Sequence, residues 1–565
     1  MNEKKNISNH SLESSVKPFL ENKKMIVVFL SFLCVLIYGG TLFFHFTQFD
    51  DDVLILKNMD FLRYVSNLGS VFQQTYFTYF YRPLVTLSYF IDTQIGGDAP
   101  VIFHLTNVIL HILVSIFAFL VIDVLQPKRW ISVAGACLLA VLPLASQTIA
   151  WIPGRTDSIL AVFIMASTLM FLKYRKTHDM KYMAGHIALF ICALLSNETA
   201  IVFPVVMAMY LFLDKKKESY IPFLIGWSIS IVLWIALRSS AMSVLPDHAP
   251  VYSISTVLLN LRVILEVLGK AVFPVGLSAL STYSTLSAVS GIVVSIFMAL
   301  LILQKKDHIN KNILLLGVVW FILFMLPSLS LSVPDSTYKF DYLENHAYTA
   351  LFGIILIVIE LLRVWITSLQ KREVIFFGGI IAIFSIVSIS HSLNFKTPID
   401  TWTHITQSSP TVADGFFQLG SMYEDSTQLA PAETCYAKAA QLNPDDIRYH
   451  NNLGTVYAKS GKYEQAAQEF FKSLALDSLN PYPYHNLGSI YYLGRNFEQA
   501  EQFWKRAIEL QPDVSDPYIK LIKLYIMQQR APDALHYSNL LKSKGVDIVQ
   551  QVTQALQQPL SDSTK

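Results

Sequence analysis

The sequence predicts an all-α protein: a polytopic helical membrane bundle over roughly the first 390 residues, then a solenoid of paired helices. Three observations carry this. Of 565 residues, 53% are hydrophobic and 15% charged, with a mean hydropathy of +0.43, against about 25% charged in an average soluble domain. Apolar runs near 20 residues long recur as far as residue 391, each able to cross a hydrocarbon core of roughly 30 Å as a helix. Beyond residue 400 the chain turns polar and positions recur every 34 residues. The net charge of +2 gives no basis for a nucleic-acid partner. Cys34, Cys137 and Cys192 lie in apolar runs and Cys435 stands alone in the tail; no spacing suggests zinc or a disulfide framework, so all four read as packing residues.

The N-terminal tail, 1–24, carries Lys4, Lys5, Lys17, Lys23 and Lys24. The run that follows, "MIVVFLSFLCVLIYGGTLFFHF", is too long for a signal-peptide core and has no small-residue cleavage site, so it is expected to stay as a span. The spans drawn are 25–46, 101–125, 131–151, 157–174, 182–196, 198–213, 220–238, 288–303, 312–333, 347–365 and 374–391. Basic loops stay cytoplasmic, and every second loop is basic: Lys128 and Arg129; Lys173, Arg175, Lys176 and Lys181; Lys215 to Lys217; Lys305, Lys306 and Lys311; Lys371 and Arg372. The alternation requires that 257–276 not cross. Arg262, Glu266 and Lys270 recur there at four-residue spacing, which reads as an interfacial helix on the outer surface. The expectation is a membrane domain at 25–393 with eleven spans, a cytoplasmic N-terminus and a long first outer loop at 47–100.

That loop opens with "TQFDDDVLILKN", three consecutive carboxylates, Asp50, Asp51 and Asp52, directly after the first span. It continues with "YFTYFYRPLVTLSYFID", where Arg82 sits among aromatics that an amphipathic surface helix would explain. In the second span, "FHLTNVILHILV" puts His104, Asn107 and His111 at i, i+3 and i+7 on one helical face. Polar groups in a span face the bundle interior or a water-filled cavity, so interhelical hydrogen bonding and a role at a site both remain open. Two imidazoles without a third ligand make a weak metal case. Further clusters fall on the same outer side: Arg155 and Asp157 in "WIPGRTDS", Asn197 and Glu198 in "LLSNETA", and Asp341, Glu344 and His346 in "YKFDYLENHAY". Ionisable residues gathered at one face of a bundle suggest a site; solvated loop charges are the plain alternative. A carboxylate there can serve as general base, and Arg155 or Arg82 can hold a phosphate by bidentate hydrogen bonds.

After a linker and lead-in helix at 394–412, containing "TWTHITQSSP", four repeats fill 413–548. Leu419, Leu453, Leu487 and Leu521 are spaced by 34, as are Tyr423, Tyr457, Tyr491 and Tyr525, and Ala432, Ala466, Ala500 and Ala534. Pro444 and Pro512 close the first and third units, and Gly420, Gly454 and Gly488 follow the leucines. This is the tetratricopeptide pattern, with small residues where helices cross and aromatics between them. Such arrays bind peptides or proteins on a concave face. Residues 549–565 read as a capping helix and tail.

In order, "FDDDVLI", "YRPLVTLSYF", "FHLTNVILH", "AWIPGRTDSILA", "LLSNETA" and "YLENHAY", followed by the repeats, resemble the GT-C membrane glycosyltransferases. Within them the likeness is to the transmembrane and tetratricopeptide-repeat O-mannosyltransferases and their bacterial relatives, and it covers nearly the whole chain. The resemblance implies a donor sugar on a polyprenyl phosphate, bound from the outer leaflet, and a loop-one carboxylate as general base on the acceptor hydroxyl. The motif falls on Phe49, Asp50 and Asp51, with Asp52 a bystander. Adjacent side chains point apart in an extended loop and lie about 100° apart in a helix, so one aspartate is expected to be catalytic and the other structural, with Asp51 preferred as the base. Arg82, His104, Asn107, His111, Arg155, Asp157, Glu198, Glu344 and His346 are the candidates for donor-phosphate or acceptor binding. The chain departs from the family pattern at "LPLASQ", Leu142 to Gln147, where relatives read HPVHTE, and at Asn197 and Asn345, where they carry Lys and Arg. With Leu142 and Ala145 in place of imidazoles, no metal and no cofactor beyond the lipid-linked sugar is expected.

The implied function is inverting sugar transfer to a protein or glycan hydroxyl on the extracytoplasmic side, with the repeats binding the acceptor or a partner. The implied setting is a bacterial inner membrane, with bilayer lipid around the bundle and the repeats in the periplasm. Two rivals stand beside it. An O-antigen polymerase or ligase would carry its long outer loop late, with Arg and His, whereas here the long loop is first and acidic. A non-catalytic membrane-anchored scaffold would need far fewer spans.

Overall fold

The structure, a computed structural model, describes residues 18–75, 80–126, 128–213, 220–242, 251–252, 254–332, 342–366 and 371–557. Lys4, Lys5, Lys17, the aromatic residues 76–79, Lys215 to Lys217, Asp341 and the tail 558–565 lie outside the described residues. The chain divides into two compact units, Met1–Ser409 and Pro410–Lys565.

In the first unit every segment drawn from the sequence falls on an apolar helix, but eleven spans are not reached. Among the described residues eight helices are long and apolar enough to cross a membrane: Lys23–Phe43, Pro100–Leu125, Ile152–Thr177, Ile221–Ala241, Thr285–Gln304, Lys311–Ser330, Glu344–Trp365 and Arg372–Phe395. A ninth, Arg129–Val141 with Pro143–Ala150, is bent by 50°. Pro143 causes the bend: it forces Leu142 into an extended conformation and brings no N–H to the helical ladder. Met180–Leu194 has 15 residues, about 22 Å of helix at 1.5 Å per residue, and Glu198–Leu213 is similarly short.

The segment expected to lie on the outer surface differs more. It forms two short helices, Ile254–Asn260 and Arg262–Val272. The second packs so closely on Thr285–Gln304 that a Cβ on Gly269 or Gly291 would overlap the other helix's backbone. Glu266 and Lys270 are each 1% exposed. Glu266 and Lys270 therefore turn into the protein, because Tyr342, Glu344 and Ser284 supply partners there, while Arg262 stays exposed.

The second unit holds the four expected helix pairs, Ala413–Asp425 with Leu429–Leu442, Ile447–Lys459 with Tyr463–Leu476, Pro481–Leu493 with Phe497–Leu510, and Ser515–Met527 with Ala531–Ser543, capped by Val549–Gln557. A Cβ on Gly420, Gly454 or Gly488 would come within 2.9, 2.8 or 2.5 Å of the Tyr436, Phe470 or Trp504 ring. The fourth repeat reverses the sizes, with Ile522 at the glycine position and Ser538 at the aromatic one, both buried. Local volume is thereby conserved across each pair. The lead-in helix, Pro398–Ser408, belongs to the first unit, where Trp402 is fully buried.

Candidate active site

The loop after the first helix is organised by one aspartate. Gln48 adopts a left-handed conformation, φ 51°, and the reversal aims several donors at Asp51. Its carboxylate accepts from Thr47 N–H at 2.6 Å, from the Thr47 hydroxyl at 3.1 and 3.2 Å, and from Phe49 N–H at 3.1 Å. Asp51 is fully buried. Asp52 pairs with Lys57 at 2.6 Å at the surface. Asp50 is half-buried, and among the described residues nothing donates a hydrogen bond to its carboxylate. Loss of hydration, and then the neighbouring Asp51 charge, push Asp50 up to about 7. Burial raises Asp51 to about 6 against the pull of the Thr47 and Phe49 hydrogen bonds. The Asp51 oxygens are thus engaged in holding the loop, whereas among the described residues nothing donates to those of Asp50.

Phe49 fixes where Asp50 sits. Its ring stacks on Trp151 at 5.1 Å and meets Trp402 edge-on at 5.2 Å. Trp151 ends the bent segment, and Asn107 holds that irregular backbone by donating to the carbonyls of Ile149, Trp151 and Ile152.

Arg155 is not available to a ligand. Its buried guanidinium donates to Asp92 at 2.6 Å, Asn107 at 3.0 Å, Ser88 at 3.2 Å and the Phe103 carbonyl at 2.6 Å, with Tyr89 beneath it. His111 bonds Tyr348 Oη at 2.6 Å and the Ala140 carbonyl at 3.0 Å, which is interhelical bonding. His104 is buried edge-on to Phe44. Asn107 and His111 are therefore engaged within the bundle, whereas neither ring nitrogen of His104 has a hydrogen-bond partner among the described residues.

A second cluster gathers the other motifs. Arg82 grips Glu198 with two hydrogen bonds, 3.1 and 2.5 Å, and lies over Phe80. Asp157, 4% exposed, accepts from Asn197 at 3.3 Å and Asn345 at 2.8 Å. The two amides that stand where relatives carry cations thus bind one carboxylate. Glu344 pairs with Lys270 at 2.5 Å and accepts from Ser281 at 2.7 Å. His346 is half-buried, within the field of Arg82 and Glu198. Among the described residues no group of three His, Cys, Asp or Glu side chains is placed to hold a metal.

Glu198 also lines a cavity of about 720 Å³, otherwise walled largely by apolar side chains such as Trp234, Ile254 and Leu326, with Arg238 at its edge. Arg238 lies 5.6 Å from the Trp234 ring and, among the described residues, has no ion pair. The sequence reading passed it over. Its signal was available: "WIALRSS" puts a lone Arg at the end of a span where the alternation of basic loops calls for none.

Comparison with known proteins defines the class first. Residues 83–238 match the dolichyl-phosphate-mannose-protein mannosyltransferase family, and 413–446, 435–468, 454–494 and 481–514 match tetratricopeptide repeats. A membrane-helical region similar to that family is thus joined to a repeat array, as the motif resemblance implied. Particular relatives are protein O-mannosyl-transferases: Tmtc1 of Drosophila melanogaster, 33% identical over 121 residues, covering 21% of this chain and 14% of the relative; and TMTC1 of Homo sapiens, 31% identical over 153 residues, covering 24% and 17%. The chain spans less than a fifth of the length of either. Among solved structures, MamA is 15% identical and covers 32% of this chain and 96% of its own, with a TM-score of 0.25.

Proposed function

We propose that the membrane unit transfers a sugar, mannose by similarity to the matched family, from a polyprenyl phosphate to an acceptor hydroxyl on the extracytoplasmic side. The observation that carries this is the contrast between the bonded Asp51 and the open Asp50. Asp50 takes the proton of the acceptor hydroxyl as its oxygen attacks the anomeric carbon. The bond from that carbon to the phosphate oxygen breaks with its electron pair, and the configuration inverts. A carboxylate titrating near neutrality suits a base at physiological pH. The apolar cavity receives the prenyl chain and Arg238 faces the leaving phosphate; Arg82 holds Glu198 in place at its rim. No metal or further cofactor enters this scheme. The alternation of basic loops supports a cytoplasmic N-terminus and extracytoplasmic repeats, and the family resemblance supports a bacterial inner membrane. The repeats present the acceptor, or a partner that brings it, on their concave face.

The internal use of Arg155 is the one observation that favours a non-catalytic scaffold instead. The two readings separate when radiolabelled polyprenyl-phosphate mannose is given to membranes carrying wild type, Asp50→Asn or Asp51→Asn. Transfer by wild type that Asp50→Asn abolishes supports the enzyme. Wild type that consumes no donor while the repeats still bind partners supports the scaffold.

A further inference from the structure

Around the bent segment 142–151, seven buried polar atoms lack a hydrogen-bond partner among the described residues: Gln147 Oε1, Thr148 Oγ1, Trp151 Nε1, Glu344 Oε2, Asn345 Oδ1, His391 Nε2 and His404 Nε2. Buried polar atoms in folded proteins are nearly always paired, so seven in one region require a reason. The region is a single one. Segments 143–150 and 344–347 pack together, and helix Lys371–Ser392 packs across 143–150. His391 Nδ1 lies 2.7 Å from Ser146 Oγ, and the His391 and His404 rings meet edge-on at 5.3 Å. His404 in turn lies within the field of Glu344.

Five of the seven are acceptors, while Trp151 Nε1–H is a donor and the Thr148 hydroxyl can serve as either. Ser146 gives its single hydroxyl proton to the Pro143 carbonyl at 2.6 Å, so His391 Nδ1–H donates to Ser146 and Nε2 keeps a bare lone pair. His404 turns its other nitrogen to the Leu277 carbonyl, which leaves its Nε2 in the same state. Gln147 directs its amide nitrogen at the Ala279 carbonyl, 3.5 Å away, and Asn345 directs its own at Asp157; what remains of each is carbonyl oxygen. Glu344 commits Oε1 to Lys270 and Ser281 and leaves Oε2. A phosphate or carboxylate would set like lone pairs against the five acceptors. An uncharged ligand with several hydroxyls, each able to donate and to accept, complements both kinds of atom.

We propose that this cluster is the subsite that reads the hydroxyl groups of a pyranose ring. It rests on the transferase reading only for the identity of the molecule that delivers the ring. Its position agrees with that reading. Phe49, next to Asp50, packs between Trp151 and Trp402, which lie on the segments that carry Gln147 and His404. Asn345 leads through Asp157 and Asn197 to Glu198 at the apolar cavity. Base, sugar and lipid sites then follow in sequence.

The test is saturation-transfer NMR on the full chain in nanodiscs, with methyl mannoside, glucoside and galactoside as probes and glycerol 3-phosphate as a charged control. Ring protons of at least one glycoside should be saturated, and the control should not. Gln147→Leu and His391→Phe should each weaken that binding about tenfold or more. Both variants should hold or raise the thermal midpoint, because an unsatisfied acceptor gives way to an apolar group, His391→Phe keeps the edge-on ring, and Ser146 stays bonded to Pro143. No saturated glycoside, or equal saturation in both variants, overturns the proposal and leaves a cluster filled by water only. Free glycosides need neither lipid nor chemistry, so glycoside binding without any sugar transfer would sink the catalytic reading and leave this one standing.

Discussion

Thr47 donates both its backbone N–H and its hydroxyl to the carboxylate of Asp51, at 2.6 Å and at 3.1–3.2 Å. With Phe49 N–H on the other oxygen, these bonds close the loop and place the next carboxylate, Asp50, where among the described residues nothing donates to it. Two adjacent residues of one type thereby acquire different chemistry.

The first prediction separates them. Asp50→Asn should lower sugar transfer by about 10²–10⁴-fold, the range a general base supplies, and hold or raise the unfolding midpoint above neutral pH, because a neutral side chain replaces a carboxylate whose charge folding disfavours. Asp51→Asn should cost about 1–3 kcal/mol of stability, since its donors lose a charged acceptor. Transfer assays paired with thermal unfolding check both, and the reverse pattern would return the catalytic role to Asp51.

The pH dependence follows from Asp50. Its folded value, about 7, lies above the ordinary 3.8, so folding favours the protonated form. That contribution to stability is fully present below pH 3.8 and is lost as pH rises through 7. Transfer needs the ionised form, so kcat/KM should rise through an apparent pKa near 7 and level off above it. A rate profile flat from about pH 5 to 9 excludes this carboxylate as the base.

Two arginines should behave oppositely. Arg238→Ala should raise KM for the lipid-phosphate donor about tenfold or more, with little change in stability. Arg155→Ala should destabilise by about 3–5 kcal/mol, because it strands Asp92 as an unpaired buried charge. Donor titration and chemical denaturation of the two variants decide the matter.

The repeat array offers a test of size exchange. Gly488→Val should destabilise the solenoid by about 1–3 kcal/mol, because the Trp504 ring occupies the space a Cβ needs. Ile522→Gly opens a gap in the fourth repeat and Ser538→Phe overfills it. Combined, they should restore the arrangement of the other three repeats and cost markedly less than the sum of the singles. Simple additivity in unfolding experiments would remove the exchange argument.

What depends on local periodicity is legible in the chain before it folds. Apolar runs placed every membrane helix, and the 34-residue spacing set the phase of all four repeats, because burial of a helix face is written within a few turns of chain. Most of the polar residues that converge are legible there too, in "FDDD", "NETA" and "YLEN". Which of them are already occupied was decided only by the tertiary structure. Arg155 is neutralised by Asp92, 63 residues earlier, and Lys270 by Glu344, 74 residues later, while Asp157 accepts a hydrogen bond from Asn345, 188 residues later. Lys270 looked solvent-facing because its helix is amphipathic, and the water expected on that face is replaced by Tyr342 and Glu344. A charge carries no mark in sequence of whether water or a distant partner will solvate it. That depends on which helix ends meet, and their meeting separates the open Asp50 and Arg238 from the bonded Asp51 and Arg155.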